Sequence, residues 1–103
     1  MFKTSVMYPY EQGAKFDFDY YRTQHMALVE KHMKPFGLIR FEIDRGLSGG
    51  GDAPHPYICV GHLYFDSISG YEKATAQVGP VIRGDLANFT MIKPIRLISE
   101  ILD

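Results

Sequence analysis

The segment YICVGHLYF, from Tyr57 to Phe65, constrains the fold more than any other part of the chain. In an extended strand, successive side chains point to opposite faces of the sheet. Both faces of this strand would be apolar, with Tyr57, Cys59, Leu63 and Phe65 on one and Ile58, Val60 and Tyr64 on the other. Such a strand needs a packed layer on each side.

The remaining segments predict two helices and three further strands. In chain order, the elements are a strand over 2–10, a helix over about 18–33, a strand over 38–47, the strand over 57–65, a helix from about 69 to 78 with a short extra turn through about 87, and a strand over 90–102.

The first helix has clear signals at both ends. Asp17 is a good N-cap, and Phe16 can pack against Tyr21 as a hydrophobic staple. Pro35 and Gly37 would end the helix. For the second helix, Ser69 and Glu72 have the spacing of a capping box, and the Gly-Pro pair at 79–80 would end it.

Strand 38–47 alternates between an apolar and a charged face. Ile39, Phe41 and Ile43 would be buried, whereas Arg40, Glu42 and Asp44 would lie on the other face. The glycine-rich segment 48–56 is too long for a tight hairpin, so we expect a mobile loop that could cover a pocket. Pro94 lacks a ladder donor, which places the last strand at a sheet edge.

The order βαββαβ is that of an α+β, ferredoxin-like sandwich, in which the first and third strands are central. We expect one domain over residues 1–103. Because the two helices cover only one face of such a sheet, the outer apolar face of strand 57–65 needs another cover. We therefore predict a homodimer in which two sheets pack face to face, with the charges of strand 38–47 paired across the interface or at its rim.

Charge and composition exclude several classes of function. The 103-residue chain has 11 Lys and Arg scattered among 12 acidic residues and a net charge of −1, unlike a nucleic-acid-binding protein. No apolar run approaches the roughly 18 residues of a membrane span, and no secretion signal is evident. Cys59 is the one cysteine and has no disulfide partner. We expect a cytoplasmic protein with small-molecule or protein partners.

His25 is the first candidate for chemistry. A helical period places it on an apolar stripe with Phe18, Tyr21, Leu28, Val29 and His32. One interpretation is a core histidine whose ring nitrogens are satisfied internally. The other is a general acid or base in a pocket between helix and sheet, beside a hydroxyl of Tyr8, Tyr21 or Tyr64.

Other chemistry has less support. His25 and His32 are seven residues apart, about 10 Å along a helix, so we predict no shared metal site. No nicotinamide, flavin or haem motif is present, so we predict no cofactor. The thiol of Cys59, among apolar neighbours, is typical of a packed side chain.

Three further polar residues are assigned from their surroundings. We expect His62 to line either the dimer interface or the pocket, and His55 to lie in solvent. Asp85 would cap a turn at the amides of Asn88 or Thr90 rather than take part in catalysis.

Two separated blocks, FDFDYYRTQHMALV and DLANFTMIKPIRLISEIL, resemble the EthD family, which is named for ethyl tert-butyl ether degradation. The resemblance covers nearly the whole chain. The matching residues are Phe16, Asp17, Tyr20, Tyr21, His25, Met26, Asp85, Asn88, Phe89 and Thr90.

The resemblance implies a dimeric α/β barrel built from two ferredoxin-like subunits. The family is commonly labelled oxidoreductase, while its fold also hosts cofactor-independent monooxygenases, isomerases, cyclases and binding proteins. We therefore expect a small catabolic enzyme that binds an apolar, aromatic or ketonic molecule, with His25 and Tyr21 as catalytic residues and Tyr8, His62, Tyr64 and Phe89 as substrate contacts. The alternative is a non-catalytic carrier or an accessory protein of an oxygenase.

Overall fold

The computed structural model describes residues 1–102, and its main elements follow the order βαββαβ. The strands are β1 (Phe2–Pro9), β2 (Leu38–Arg45), β3 (Tyr57–Phe65) and β4 (Ile95–Glu100). Helix α1 has three consecutive segments, which are α-helical over Phe18–Tyr20, π-helical over Tyr21–His25 and α-helical over Met26–Met33. Helix α2 spans Ile68–Gly84.

The four strands form one antiparallel sheet in the order β2-β3-β1-β4. The first and third strands are central, and β4 is an edge strand that pairs only with β1. The predicted α+β, ferredoxin-like fold is confirmed. Both helices pack on one face of the sheet because alternate residues of β1 and β3 supply an apolar surface there. The core includes Phe2, Tyr8, Cys59, Leu63 and Phe65 from the sheet and Tyr21, Met26, Val29, Met33, Tyr71 and Ala74 from the helices.

The π-helical turn changes which residues of α1 face the core. Here the amide of Met26 donates to the carbonyl of Tyr21, five residues earlier. The extra residue in this turn rotates everything after His25 relative to a regular helix. Beyond this turn the predicted stripe holds at Val29, which is buried, but not at Leu28 and His32, which are only half-buried, while Met26 and Met33 are buried instead.

Strand β2 differs from its prediction at its first residues. Its register with β3 shifts between Leu38 and Arg40. This irregularity buries Leu38 and leaves Ile39 half exposed, so Ile39 does not join the core as predicted. Phe41 and Ile43 do pack against the core, as their alternation indicated.

Helix α2 begins earlier and ends later than its sequence signals indicated. Its N-cap is Ser67, whose hydroxyl accepts a hydrogen bond from the amide of Gly70, and not Ser69. The helix continues through Pro80, which lies inside it. Proline lacks the amide that would bond the carbonyl of Ala76, but the apolar face of the helix packs on both sides of this position, and packing outweighs the lost bond.

The last strand is shorter than predicted. Pro94 precedes β4 instead of lying within it, so the missing donor leaves no gap in the ladder. Thr90 is separate from the strand and forms an isolated bridge with Phe16.

The segment between β2 and β3 is held by its own backbone. Gly49 donates to the carbonyl of Ala53, and Ala53 donates to that of Gly50. His55 is half-buried, with its ring 4.9 Å from that of Tyr10, so it is not fully in solvent as expected.

The charges of β2 have partners within their own chain. Arg40 binds Glu42 at 2.8 Å, and Glu42 accepts a hydrogen bond of 2.6 Å from the hydroxyl of Tyr64. The guanidinium of Arg40 also lies 3.8 Å from the centre of the Tyr64 ring. Tyr64 is thus buried on the outer face of the sheet by its own subunit.

Candidate functional site

A cavity of about 370 Å³ lies between the two helices and the sheet. This size is in the range of small-molecule sites. Most of its wall is apolar, formed by side chains such as Val6, Met26, Val29, Leu63 and Ile82. The lining residues that carry polar side-chain groups are Thr4, Tyr8, Tyr21, His25, Tyr71, Thr75, Arg83 and Arg96.

The π-helical turn of α1 presents two of these polar residues together. The rings of Tyr21 and His25 stack with centroids 5.5 Å apart and an angle of 18° between their planes. Phe89 supports His25 from another side, with ring centroids 4.6 Å apart. The two aromatic rings of Tyr21 and Phe89 therefore fix the orientation of the imidazole.

Asp85 binds the imidazole directly. Its Oδ2 atom lies 2.9 Å from Nδ1 of His25, and its Oδ1 atom accepts hydrogen bonds from the hydroxyl of Tyr20 at 2.7 Å and the side-chain amide of Asn88 at 2.8 Å. The expectation that Asp85 only caps a turn is therefore wrong. The adjacent turn is closed instead by the backbone, where the amide of Asn88 donates to the carbonyl of Asp85.

His25 and Asp85 do not form an ion pair at neutral pH, because only Asp85 is charged. Burial lowers the pKa of His25 below its usual 6.5, and the hydrogen bond and charge of Asp85 only partly oppose this shift. Burial tends to raise the pKa of Asp85, but its hydrogen bonds outweigh burial and hold the pKa below 3.8. Asp85 is thus an ionised carboxylate beside a neutral imidazole.

This charge distribution fixes the imidazole tautomer. An ionised carboxylate only accepts hydrogen bonds, so Nδ1 of His25 carries the proton and donates it to Asp85. The other nitrogen, Nε2, is then an acceptor. No buried side-chain nitrogen or oxygen within residues 1–102 lacks a partner, so Nε2, which has no hydrogen bond there, is open to the cavity that His25 lines.

Tyr21 occupies space that a glycine leaves on the sheet. A Cβ atom added to Gly61 on β3 would overlap the Tyr21 hydroxyl, so this hydroxyl rests directly on the strand backbone. Burial raises the pKa of Tyr21 far above its usual value, and burial also raises that of Tyr8. Both phenols stay protonated, and Tyr21 can donate a hydrogen bond but cannot serve as a base near neutral pH.

Cys59 is buried in the core, does not line the cavity and has an unreactive thiol. Burial raises the pKa of its thiol to about 12, so the thiolate is scarce at neutral pH. His25 is therefore the cavity group suited to proton transfer near neutrality.

Three of the six predicted site residues line the cavity. His25, Tyr21 and Tyr8 line it, and Phe89 packs behind His25 without lining it. His62 and Tyr64 do not reach it, because they alternate with Gly61 and Leu63 and so point to the outer face of the sheet. On that face His62 bridges Ser5 at 2.9 Å and Asp44 at 2.8 Å.

Residues 16–20 and 85–90 form a clasp that joins the start of α1 to the turn after α2. The amide of Asp17 donates to the carbonyl of Phe89, and Phe16 pairs with Thr90 as an isolated bridge. The Tyr20 to Asp85 hydrogen bond belongs to the same contact. The clasp is what brings Asp85 to His25, 60 residues away in sequence.

Within residues 1–102, no three His, Cys, Asp or Glu side chains are grouped as a metal site would require. Over the same residues, no helix has the length and apolar character to cross a membrane.

The family comparison agrees with the geometry. The EthD domain model matches residues 11–91. The crystal structure of an EthD-like protein from Ralstonia eutropha is similar, with 34% identity, coverage of 99% of this chain and 92% of that chain, and a TM-score of 0.92. An EthD family protein from Bacillus halodurans gives 21% identity, 99% coverage of both chains and a TM-score of 0.75.

A more distant structure shares the fold alone. A dimeric protein of unknown function with a ferredoxin-like fold, from Bacteroides fragilis, gives 12% identity, coverage of 97% of this chain and 95% of that chain, and a TM-score of 0.52. No curated protein matches the sequence.

The fold and the cavity together define a small-molecule-binding protein of the ferredoxin-like class. The chain belongs to the EthD family, which confirms the resemblance seen in the sequence.

Replacing Gly61 with alanine tests how Tyr21 is placed. Because the new methyl group overlaps the phenol hydroxyl, we expect a loss of about 1–3 kcal/mol in the free energy of unfolding, the usual cost of overpacking. In a Tyr21→Phe background the cost should be smaller, since the overlapping oxygen is gone. Urea unfolding of the four variants measures the coupling. Gly84→Ala, where nothing lies within 4 Å, is the control, and an equal loss there would contradict the assignment.

Replacing Asp85 with asparagine tests the imidazole partner. The carboxylate raises the pKa of His25 against the effect of burial, so Asp85→Asn should move that pKa still further below 6.5. An NMR titration of the imidazole signals measures the shift. The same change at the exposed loop residue Asp52 is the control and should leave His25 unaltered. A His25 pKa that stays constant or rises in Asp85→Asn would refute the arrangement.

Proposed function

We propose that this protein is a small enzyme that binds an apolar, aromatic or ketonic metabolite in the cavity and transfers a proton at Nε2 of His25. The observation that carries the proposal is the neutral His25, whose Nδ1–H is held by Asp85 while Nε2 is open to an apolar cavity. A carboxylate behind an imidazole fixes its orientation and stabilises the imidazolium that forms when it accepts a proton.

Each remaining site residue has a role that follows from its protonation and position. Tyr21 donates a hydrogen bond to a substrate oxygen, because its phenol stays protonated. Tyr8 forms part of the cavity wall, and Phe89 positions the His25 ring by packing against it. Removal of a proton from a carbon beside a carbonyl, or from a phenol, is the class of step that this set can perform.

The oxidoreductase label of the family places a condition on the chemistry. Since the sequence has no motif for a nicotinamide, flavin or haem, oxidation at this site would draw electrons from the substrate itself and pass them to dioxygen or a partner protein. A role in catabolic metabolism is compatible with that reaction. We also propose a cytoplasmic location, because the one cysteine, Cys59, is buried and reduced.

A carrier function is the second candidate. It is favoured by the burial of His25, which is only 4% exposed and lies against two aromatic rings. In this case the imidazole would complete the wall of a binding cavity, as part of a carrier or of an oxygenase accessory protein, and no bond of the ligand would change.

His25→Asn separates the two candidates. The asparagine amide can still donate to Asp85 in place of Nδ1–H, whereas nothing replaces Nε2. A thermal-shift screen of aromatic and ketonic metabolites identifies ligands, and each ligand is then tested for conversion. An enzyme should lose at least about 100-fold in kcat in this variant while ligand affinity changes little. Unchanged turnover in the variant would refute the role of His25 in catalysis, and binding with no conversion by the natural protein would leave the carrier.

The pH dependence of kcat/KM is a second test of the same proposal. Because the pKa of His25 is lowered in the folded protein, its base form persists to more acidic pH than in a free histidine. We expect kcat/KM to be level above pH 6.5 and to fall only as the pH drops through the lowered pKa. The Asp85→Asn variant should displace this limb further toward acid.

We further propose that the protein is a homodimer joined through the outer face of the sheet. That face has a half-exposed apolar strip in which Met7 of β1 is paired with Ile95 of β4, and Leu97 of β4 is 51% exposed. Val60 and Ile58 of β3 are half-buried on the same face. A second copy of this face would cover the strip.

Leu97→Glu tests the dimer. A charge in the apolar strip should shift the protein toward monomer in sedimentation velocity at micromolar concentration, because burying an unpaired carboxylate is costly. Val81→Glu, at a similarly exposed position on α2, is the matched control and should leave the dimer intact. A natural protein that sediments as a monomer would disprove the dimer.

A further inference from the structure

Two arginines line a cavity whose wall is otherwise largely apolar. Arg83 comes from the end of α2, and Arg96 comes from β4. The salt bridges and histidine–carboxylate contacts among residues 1–102 join Arg22 to Asp19, His25 to Asp85, Arg40 to Glu42 and His62 to Asp44, and none of them includes Arg83 or Arg96.

Arg83 is held against the cavity wall. A Cβ atom added to Gly79, one turn earlier in α2, would lie 2.7 Å from Nη1 of Arg83. The guanidinium therefore rests over the bare backbone of Gly79, which is buried and itself lines the cavity. A side chain at position 79 would drive this group away from the cavity wall.

Arg96 approaches the same cavity from the sheet. It pairs with Val6 of β1, and directly paired residues share one face of the sheet, so Arg96 is on the helix-covered face. Tyr8 gives a second sign of its position. Burial raises the pKa of that phenol, and the positive charge of Arg96 opposes the rise.

Two guanidinium groups on one small cavity have an electrostatic consequence. Both carry a positive charge, and no acidic side chain of the described residues lines the cavity. Asp85, which contacts the lining residue His25, is occupied by Tyr20, His25 and Asn88. A bound anion would neutralise the two arginines, and the planar guanidinium matches a carboxylate through two parallel hydrogen bonds. The protein as a whole has a net charge of −1, so this positive region is local.

We infer that the ligand of this cavity is a carboxylate, with its anionic group held by Arg83 and Arg96 and its apolar body directed toward His25. The inference rests on the proposed function for the position of the reacting atoms, and it adds the substrate class of that site, an aromatic or ketonic carboxylic acid. Binding of the carboxylate itself does not depend on any reaction at His25.

The experiment compares a charged and an uncharged probe of the same shape. Isothermal titration calorimetry with 2-naphthoate and 2-naphthamide measures both affinities in the natural protein and in Arg83→Met and Arg96→Met, which keep the apolar stem and remove the charge. The natural protein should bind the naphthoate about tenfold or more tightly than the naphthamide. Each variant should lose about tenfold for naphthoate and little for naphthamide. Arg22→Met, on the exposed side of α1, should change neither affinity.

Equal affinities for the two probes in the natural protein would overturn the inference, as would naphthoate binding that is unchanged in both variants or absent at millimolar concentration. His25→Asn distinguishes this failure from failure of the proposed function. If His25→Asn binds naphthoate normally and the two arginine variants do not, the carboxylate site stands whether or not any ligand is converted. If the arginine variants bind naphthoate normally while His25→Asn alone loses turnover, the enzyme stands without the carboxylate site.

Discussion

The carboxylate of Asp85 is the group on which the candidate site depends. It accepts hydrogen bonds from an imidazole, a phenol and an amide, which come from α1 and from the turn after α2. A buried carboxylate without such donors would protonate or unfold its surroundings. These hydrogen bonds keep Asp85 ionised, and the ionised carboxylate in turn selects the tautomer of His25. The charge of the turn and the protonation of the imidazole therefore have one cause.

The order of the elements could be read from the sequence because each element carries a local pattern. The alternation in 57–65 and the helix signals around Asp17 both depend only on neighbouring residues. Three features of the structure could not be predicted from local patterns. The register shift at Ile39, the π-helical turn before Met26 and the passage of α2 through Pro80 are all set by packing between elements, which outweighs local preference.

The candidate site, like the fold, has some features that local sequence patterns predict and others that depend on contacts between distant elements. The candidacy of His25 followed from a helical stripe, but its partner is 60 residues distant, and no spacing rule links the two positions. Asp85 was present among the residues of the family resemblance, which was the available signal, yet its neighbours in sequence favoured a capping role. The alternation of residues along β3 also predicts that His62 and Tyr64 lie on the face of the sheet opposite Tyr21. Both alternate with Gly61, on which the Tyr21 hydroxyl rests.

The clasp between residues 16–20 and 85–90 brings the two sequence blocks that identify the family into direct contact. Phe16 and Tyr20 in the first block contact Thr90 and Asp85 in the second. Recombining the amino-terminal half of one relative with the carboxy-terminal half of another would therefore join clasp residues that come from different proteins. Chimeras that inherit both blocks from one parent should keep a formed site, and exchanges should be planned around that linkage.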